Sequence, residues 1–267
     1  MVARVRRAFN TRAVGHAGTL DPFATGLLVV LLGRATRLAR FVERQAKRYR
    51  ADVTIGVATD TDDSTGAVIA DRTPSAWPDD ATLREALRSL QGTYPQRPPA
   101  YSARKVEGRR AYAIARAGGD PVLEARNVTV HAIRLLGWAP PVATIDAVVS
   151  AGTYIRAIAR DLGERVGSLA HCSALRRESI GPFEAARAVK LDALSGNEPL
   201  LAPLALLGEM PQVELDADGV RNVSHGRAVP AGTTADAEAA LVAGGRLIAV
   251  AEGIDGWWHP RVVMEAA

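Results

Sequence analysis

The chain alternates short apolar stretches with polar turns, and the period of each stretch predicts its element. Val2, Val5 and Phe9 recur at helical spacing among arginines, so the sequence opens in a basic amphipathic helix. Tyr49, Ala51, Val53, Ile55 and Val57 alternate with mostly polar neighbours, the pattern of a half-buried strand. The apolar run at residues 27–32 suits either a buried strand or a short buried helix. After an acidic turn at Asp60–Gly66 a short strand is expected at 67–70. Next come a helix at 79–90, capped by Asp79 or Asp80, and a basic helix at 108–117. Pro98 and Pro99 put residues 96–102 in a loop, ordered or mobile. Strands follow at 126–138 and 142–151, then a break at Gly152, a helix from Thr153 to Val166 and a strand over 173–184. Strands separated by single helices, some joined by hairpin-length turns, predict an α+β fold with a mixed sheet rather than a doubly wound parallel one. From Pro211 onward short apolar runs and many glycines predict a small β-rich domain, dividing the chain into 1–210 and 211–267.

Charge changes this picture because it is uneven. Residues 1–50 hold 11 Lys/Arg against Asp21 and Glu43, a net of +9, whereas the whole chain of 267 residues carries only +4. Such a basic segment suits a polyanionic partner. Residues 201–267 hold 4 basic and 9 acidic side chains, so that end is no generic nucleic-acid clamp. The longest apolar run falls far short of a membrane span, and no apolar segment follows Met1 as a secretory signal would. A single cysteine, Cys172, leaves no intrachain disulfide and fits a reducing, cytoplasmic compartment. No oligomerisation pattern stands out, so a monomer without an obligate protein partner is the default expectation.

Several chemistries find no support. There is no phosphate-binding glycine loop, dinucleotide fingerprint or Gly-x-Ser-x-Gly elbow. The five histidines are scattered, without metal-ligand spacing. Asp60–Gly66 faintly resembles a calcium loop, but its glycine falls one place late and strands flank it, so no metal is expected. Cys172 and His171 are strand neighbours whose side chains diverge, which reads as a buried, inert thiol. Asp21 is different. It lies in Gly15-His16-Ala17-Gly18-Thr19-Leu20-Asp21-Pro22, alone among basic surroundings and beside glycines that allow close approach. An aspartate before proline is also a common turn starter, and both readings stand on the residues alone.

The stretch from Gly15 through Leu28 resembles the catalytic motif of the bacterial tRNA pseudouridine-55 synthases. The resemblance continues in order through Lys47-Arg48-Tyr49, Gly56 to Asp62 with Gly66, and Gln96-Arg97-Pro98-Pro99-Ala100-Tyr101-Ser102-Ala103 with Lys105. Gly152-Thr153-Tyr154-Ile155-Arg156, Asp161-Leu162-Gly163, Leu175-Arg176-Arg177 and Gly181-Pro182-Phe183 complete it, over about residues 1–195. The resemblance implies the pseudouridine synthase fold: a mixed, largely antiparallel central sheet flanked by helices, with a small PUA-like β domain at the C-terminus. It implies an isomerase acting on uridine 55 in the tRNA T-loop, with no cofactor.

By the same resemblance Asp21 is the nucleophile, Arg156 its cation and Tyr154 a general base or proton relay. Tyr49 is the platform on which the flipped uracil stacks, and His16 wedges into the space that base vacates. Asp60 and Leu175 belong to the pocket. Arg104 and Lys105 follow the Pro-Pro loop in residues 101–134, which hold 7 basic and 3 acidic side chains, and on that charge they are expected to line the RNA backbone. Plain alternatives accompany these roles. Tyr154 and Arg156 also suit a helix N-terminus with a core tyrosine and a surface arginine, Asp60 an acidic turn, and the arginines after the Pro-Pro loop a solvated helix face.

The family normally opens with one more strand, carrying a Gly-Leu-Leu-x-x-Asp-Lys-Pro-type motif, whereas this sequence starts at Met1 inside the following helix. The expectation is a reading frame that extends upstream in register; an in-frame stop just before Met1 would sink it. The competing function is a catalytically impaired tRNA-binding or folding homologue, for which the missing motif is the argument. An aspartate-nucleophile phosphotransferase would need a metal-binding acid cluster near Asp21, and none accompanies it.

Overall fold

Strict alternation over residues 47–55 makes the central strand of the larger sheet, with every odd position buried. The computed structural model describes residues 1–102, 104–106, 108–119, 121, 123–231 and 237–264, and the backbone alone at Lys105, Val106, Arg109, Arg110 and Arg116. These residues divide into two units: 20–27 with 46–187, and 1–19 with 28–45 and 188–267.

The first of these units is built on β1 (Lys47–Ile55), β2 (Gly92–Gln96), β3 (Arg126–Ala139), β4 (Val142–Val149) and β5 (Ala170–Ile180). They run in the order β5-β1-β4-β3-β2, every neighbour antiparallel. The two-residue strands Phe183–Glu184 and Thr25–Gly26 both pair with β5, the second in parallel, so the sheet is mixed and largely antiparallel. Helices α1 (Asp80–Arg88) and α2 (Ile155–Arg165) supply Leu83, Leu87, Ile158 and Leu162 to its core, against Val53, Ile145 and Val149.

Two local expectations are resolved or corrected, and one strand is added to them. Asp79, not Asp80, caps α1, its carboxylate accepting the Thr82 N–H at 2.8 Å. Asp79→Ala is expected to lower the melting temperature by a few degrees in a thermal scan, with RNA binding unchanged. The segment expected as one helix at 108–117 is a hairpin, Lys105–Val106 with Arg109–Arg110, followed by a shorter helix Ala111–Arg116. β2 is a strand that the sequence pattern did not predict. It carries Pro95 and lies at the sheet edge, where a missing N–H costs little.

The other unit joins sequence-distant segments. Helix Val2–Ala8 opens it, as the spacing predicts. Strand Val29–Leu32 resolves the ambiguous apolar run and pairs antiparallel with Val14–Ala17. A five-stranded sheet follows in the order Gln212–Glu214, Glu238–Ala243, Arg246–Ile254, Trp257–Val263, Val229–Pro230. Its core gathers Leu241, Ile248, Ala249 and Trp258, with Val223 from helix Ala217–Ser224.

The arginines of the N-terminal segment are largely engaged inside this unit. Arg34 donates to the Met264 carbonyl at 2.7 Å and Arg37 to the Val263 carbonyl at 2.6 Å. Arg44 pairs with Glu238 at 2.9 Å, and Arg4 with Asp192 at 2.9 Å. Part of the basic field thus meets acids and carbonyls of residues 188–264, with which 1–19 and 28–45 share a unit. That grouping differs from a cut at 210/211. Among the described residues no helix is long and apolar enough to cross a membrane.

Candidate active site

The loop bearing Asp21 is fixed at its far end by backbone chemistry. Thr25–Gly26 lies alongside Arg176–Arg177 of β5. The Leu27 N–H donates to the Arg177 carbonyl at 2.9 Å, and Arg177 Nε returns a bond to the Leu27 carbonyl at 2.8 Å. Gly26 has φ +98°, and a Cβ there would stand 2.2 Å from the Arg177 oxygen. Only glycine fits, which explains its place in the motif.

Asp21 meets Arg156 as a two-pronged pair. Arg156 Nε donates to Oδ2 at 2.8 Å and Nη2 to Oδ1 at 3.0 Å. The remaining N–H groups are also used. Nη1 donates to the Thr61 carbonyl at 2.7 Å and lies 3.3 Å from Asp63 Oδ2, while Nη2 also reaches the Tyr101 carbonyl at 3.0 Å. Four hydrogen bonds and the ion pair to Asp63 therefore surround the guanidinium, and the residue is 3% exposed. A lysine has three donors and no planar fork, so it could not occupy this seat equivalently. The Asp21 side chain keeps 32% exposure against 5% for Asp63. Of the two carboxylates on Arg156, one faces outward and one is sealed in.

The acidic turn is where those anions come from. Asp63 Oδ1 accepts from Thr65 N and Thr61 Oγ1 at 2.9 and 2.8 Å, which orients Oδ2 toward the guanidinium. One helical turn beyond Arg156, Arg160 pairs with Asp62 at 2.8 Å and donates to the Arg97 carbonyl at 2.8 Å. Burial pushes the Asp62 carboxyl up, and the Arg160 charge pulls it back. The turn is held on β5 by Ser64 N–H to the Cys172 carbonyl and Cys172 N–H to the Asp62 carbonyl, at 3.2 and 3.0 Å. Its carboxylates serve arginines and backbone amides.

Tyr49 points into the core from β1 and is buried. Burial pushes its phenol up, with Asp21 adding to the rise and Arg177 opposing it through charge and a hydrogen bond. Leu175 is buried in the same cluster. Tyr154 is half-buried at the N-cap of α2, two residues before Arg156. Asp60 accepts the Ala67 N–H at 2.8 Å and lies 3.5 Å from the Tyr101 hydroxyl. Arg104 is half-buried ahead of the hairpin, and its carbonyl accepts the Ala111 N–H at 2.7 Å. The Lys105 side chain lies outside the described ones. His16 belongs to the other unit, on Val14–Ala17 opposite Val30.

The geometry therefore unites Asp21, Arg156 and the acidic turn, with Tyr49 electrostatically near. Sequence reasoning missed Asp63, Arg160 and the Thr61 and Tyr101 carbonyls. The clue available in the sequence was that one carboxylate takes only two of a guanidinium's five donors, so a buried arginine needs further acceptors. Cys172 is fully buried, and desolvation pushes its thiol well above the ordinary range. A thiol reagent such as Ellman's is expected to leave the native protein unmodified and to titrate one thiol after denaturation.

Comparison with known proteins identifies the family of the chain. Residues 6–155 match the model of the TruB family pseudouridylate synthase N-terminal domain. Residues 156–200 match the tRNA pseudouridylate synthase B C-terminal domain, and 210–265 match the tRNA pseudouridine synthase II C-terminal model. A protein of Thermobifida fusca named tRNA pseudouridine synthase B is 41% identical over 273 residues, covering 98% of this chain and 92% of the relative. One of the same name from Symbiobacterium thermophilum is 44% identical over 230 residues, covering 85% and 77%. Among solved structures, the chain resembles one from an archaeal box H/ACA sRNP Nop10-Cbf5 complex, with a TM-score of 0.74 at 21% identity. That match covers 99% of this chain and 81% of the other. Fold and family models together place the chain among the pseudouridylate synthases. Within that class it belongs to the TruB family.

Proposed function

We propose that this chain converts uridine 55 in the T-loop of tRNA to pseudouridine, with Asp21 as the nucleophile. The observation that carries the reading is the Asp21–Arg156 pair, a carboxylate held by two bonds on one side and one-third open on the other. The relatives named tRNA pseudouridine synthase B support tRNA as the substrate. A looped RNA offers unstacked bases, and the reacting uridine must leave the stack to meet a side chain.

The reaction is an isomerisation. The N1–C1′ bond breaks, the uracil turns, a C5–C1′ bond forms, and the C5 proton is lost while N1 gains one. Nothing is oxidised or reduced, so the balance needs no cofactor. Asp21 acts by attacking the ribose or the base, or by assisting the departure of uracilate. Arg156 holds the carboxylate with its open edge toward the substrate, and Tyr154 takes the C5 proton. Tyr49, a neutral phenol in its buried setting, stacks on the base, a contact of about 1–3 kcal/mol. Leu175 and Asp60 complete the pocket, Arg104 and Lys105 take backbone phosphates, and His16 fills the space the base leaves.

The test is release of tritium from 5-tritiated uridine in a T-loop RNA. One equivalent released per target uridine supports the reading. Tight binding without release would make the chain a tRNA-binding homologue instead.

A further inference from the structure

Two arginines stand side by side on β5 and point to opposite faces of the sheet. Arg176 is exposed, whereas Arg177 is 1% exposed and turns into the protein. A charge is kept inside by the acceptors that meet it, and those of Arg177 come from two directions. On one side is the end of the loop that bears Asp21. Arg177 Nε donates to the Leu27 carbonyl at 2.8 Å, and the Arg177 carbonyl accepts the Leu27 N–H at 2.9 Å. One residue therefore takes both backbone groups of Leu27.

On the other side is Tyr49. In the register of β5 with β1 it lies directly opposite Arg177, and its phenol shares a hydrogen bond with the Arg177 side chain. A guanidinium only donates, so the phenol oxygen accepts and the phenol's own proton points elsewhere. Asp21 also acts on this phenol through its charge, so the carboxylate and the ring stand within each other's field. Arg177 is thus bonded both to the Tyr49 side chain and to the loop that carries Asp21. A planar fork can serve two acceptors at once, which a single ammonium on a flexible stem does less well.

We propose that Arg177 is a positioning residue: its guanidinium ties the Tyr49 hydroxyl to the Leu27 end of the Asp21 loop, and so sets the ring relative to the carboxylate. The inference rests on the reading of Tyr49 as the platform for the uracil and Asp21 as the nucleophile. It assigns no chemical step to Arg177, which acts through Tyr49 and Leu27. Without the tie, ring and carboxylate sample more relative placements and the reaction slows, while RNA contacts made elsewhere persist.

The test compares Arg177→Lys, Tyr49→Phe, their double variant and Tyr49→Leu, as single-turnover rates per folded molecule with saturating T-loop RNA, alongside RNA affinity. Tyr49→Phe keeps the ring and removes the acceptor. It leaves the Leu27 contact of Arg177 in place, so it carries the test even where Arg177→Lys fails to fold. Arg177→Lys is expected to lose about 10- to 100-fold in rate and Tyr49→Phe about 10-fold, both binding RNA within about threefold of wild type. In an Arg177→Lys background, Tyr49→Phe should cost nothing further. A second readout is the NMR signal of tyrosines carrying carbon-13 at Cζ. The chain has five tyrosines, and the Tyr49 signal is the one lost in Tyr49→Phe. That signal should move in Arg177→Lys while the other tyrosine signals stay in place. A wild-type rate for folded Arg177→Lys overturns the inference alone, as do losses that multiply in the double variant or a Tyr49 signal that does not move. A wild-type rate for Tyr49→Phe beside a slow Tyr49→Leu overturns it too and leaves the platform standing. A fast Tyr49→Leu overturns the platform reading and this inference with it.

Discussion

Asp21→Asn is expected to abolish tritium release, with a loss of about 10⁴-fold or more, the scale on which enzymes lose rate when a nucleophile is removed. RNA affinity should stay within about tenfold of wild type. The substitution changes the charge and almost nothing in volume. It also replaces one acceptor oxygen by an amide that faces a guanidinium donor, so one of the two bonds at 2.8 and 3.0 Å is lost. Filter binding with T-loop RNA separates the effects: binding reports the RNA surface and release reports the carboxylate. Residual turnover near wild type would remove Asp21 from its role.

Arg156 carries the second large expectation. Arg156→Lys keeps a positive charge but offers three donors to a seat that takes four hydrogen bonds, and it cannot grip both Asp21 oxygens in one plane. A loss of about 10²- to 10³-fold in single-turnover rate is expected, with modest destabilisation. Arg156→Met should unfold the protein more easily, by about 3–5 kcal/mol in urea denaturation, because Asp63 would be left buried without a cation. Adding Asp63→Asn to Arg156→Met should return part of that stability and none of the activity. A double variant no more stable than Arg156→Met would show that the buried charge is not the source of the loss.

The strands were legible in the sequence wherever one face is buried, because alternation then records which side each residue takes. Residues 47–55 and 142–149 are the cases in point. The strand at 92–96 was not, since Gly92 and Pro95 read as breakers and only the sheet order shows that an edge accommodates them. The central pair of the site was legible through its motifs. Asp63 was hidden, because an acidic turn between strands looks alike whether it faces water or a guanidinium 93 positions away. Charge marked the basic segment but not which of its side chains already have partners. A net of +9 over 50 residues suggested a landing field for RNA, yet Arg4, Arg34, Arg37 and Arg44 spend their donors on Asp192, Met264, Val263 and Glu238. Sequence counts charges; it does not record which are already answered within the fold.

Those arginine contacts also set an order of events during synthesis. Arg34 and its acceptor carbonyl lie 230 positions apart, and Arg37 and its own lie 226 apart. Residues 46–187 can leave the ribosome and close their antiparallel sheet while the partners of Arg34 and Arg37 are still unmade. Arg34 and Arg37 must wait in water until the strand Trp257–Val263 and the residue after it emerge. Domains generally fold as units during translation. Here one unit joins residues 1–19 and 28–45 to residues 188–264, so its assembly is completed late in translation, and a nascent chain stalled before Trp257 would display Arg34 and Arg37 without their acceptor carbonyls.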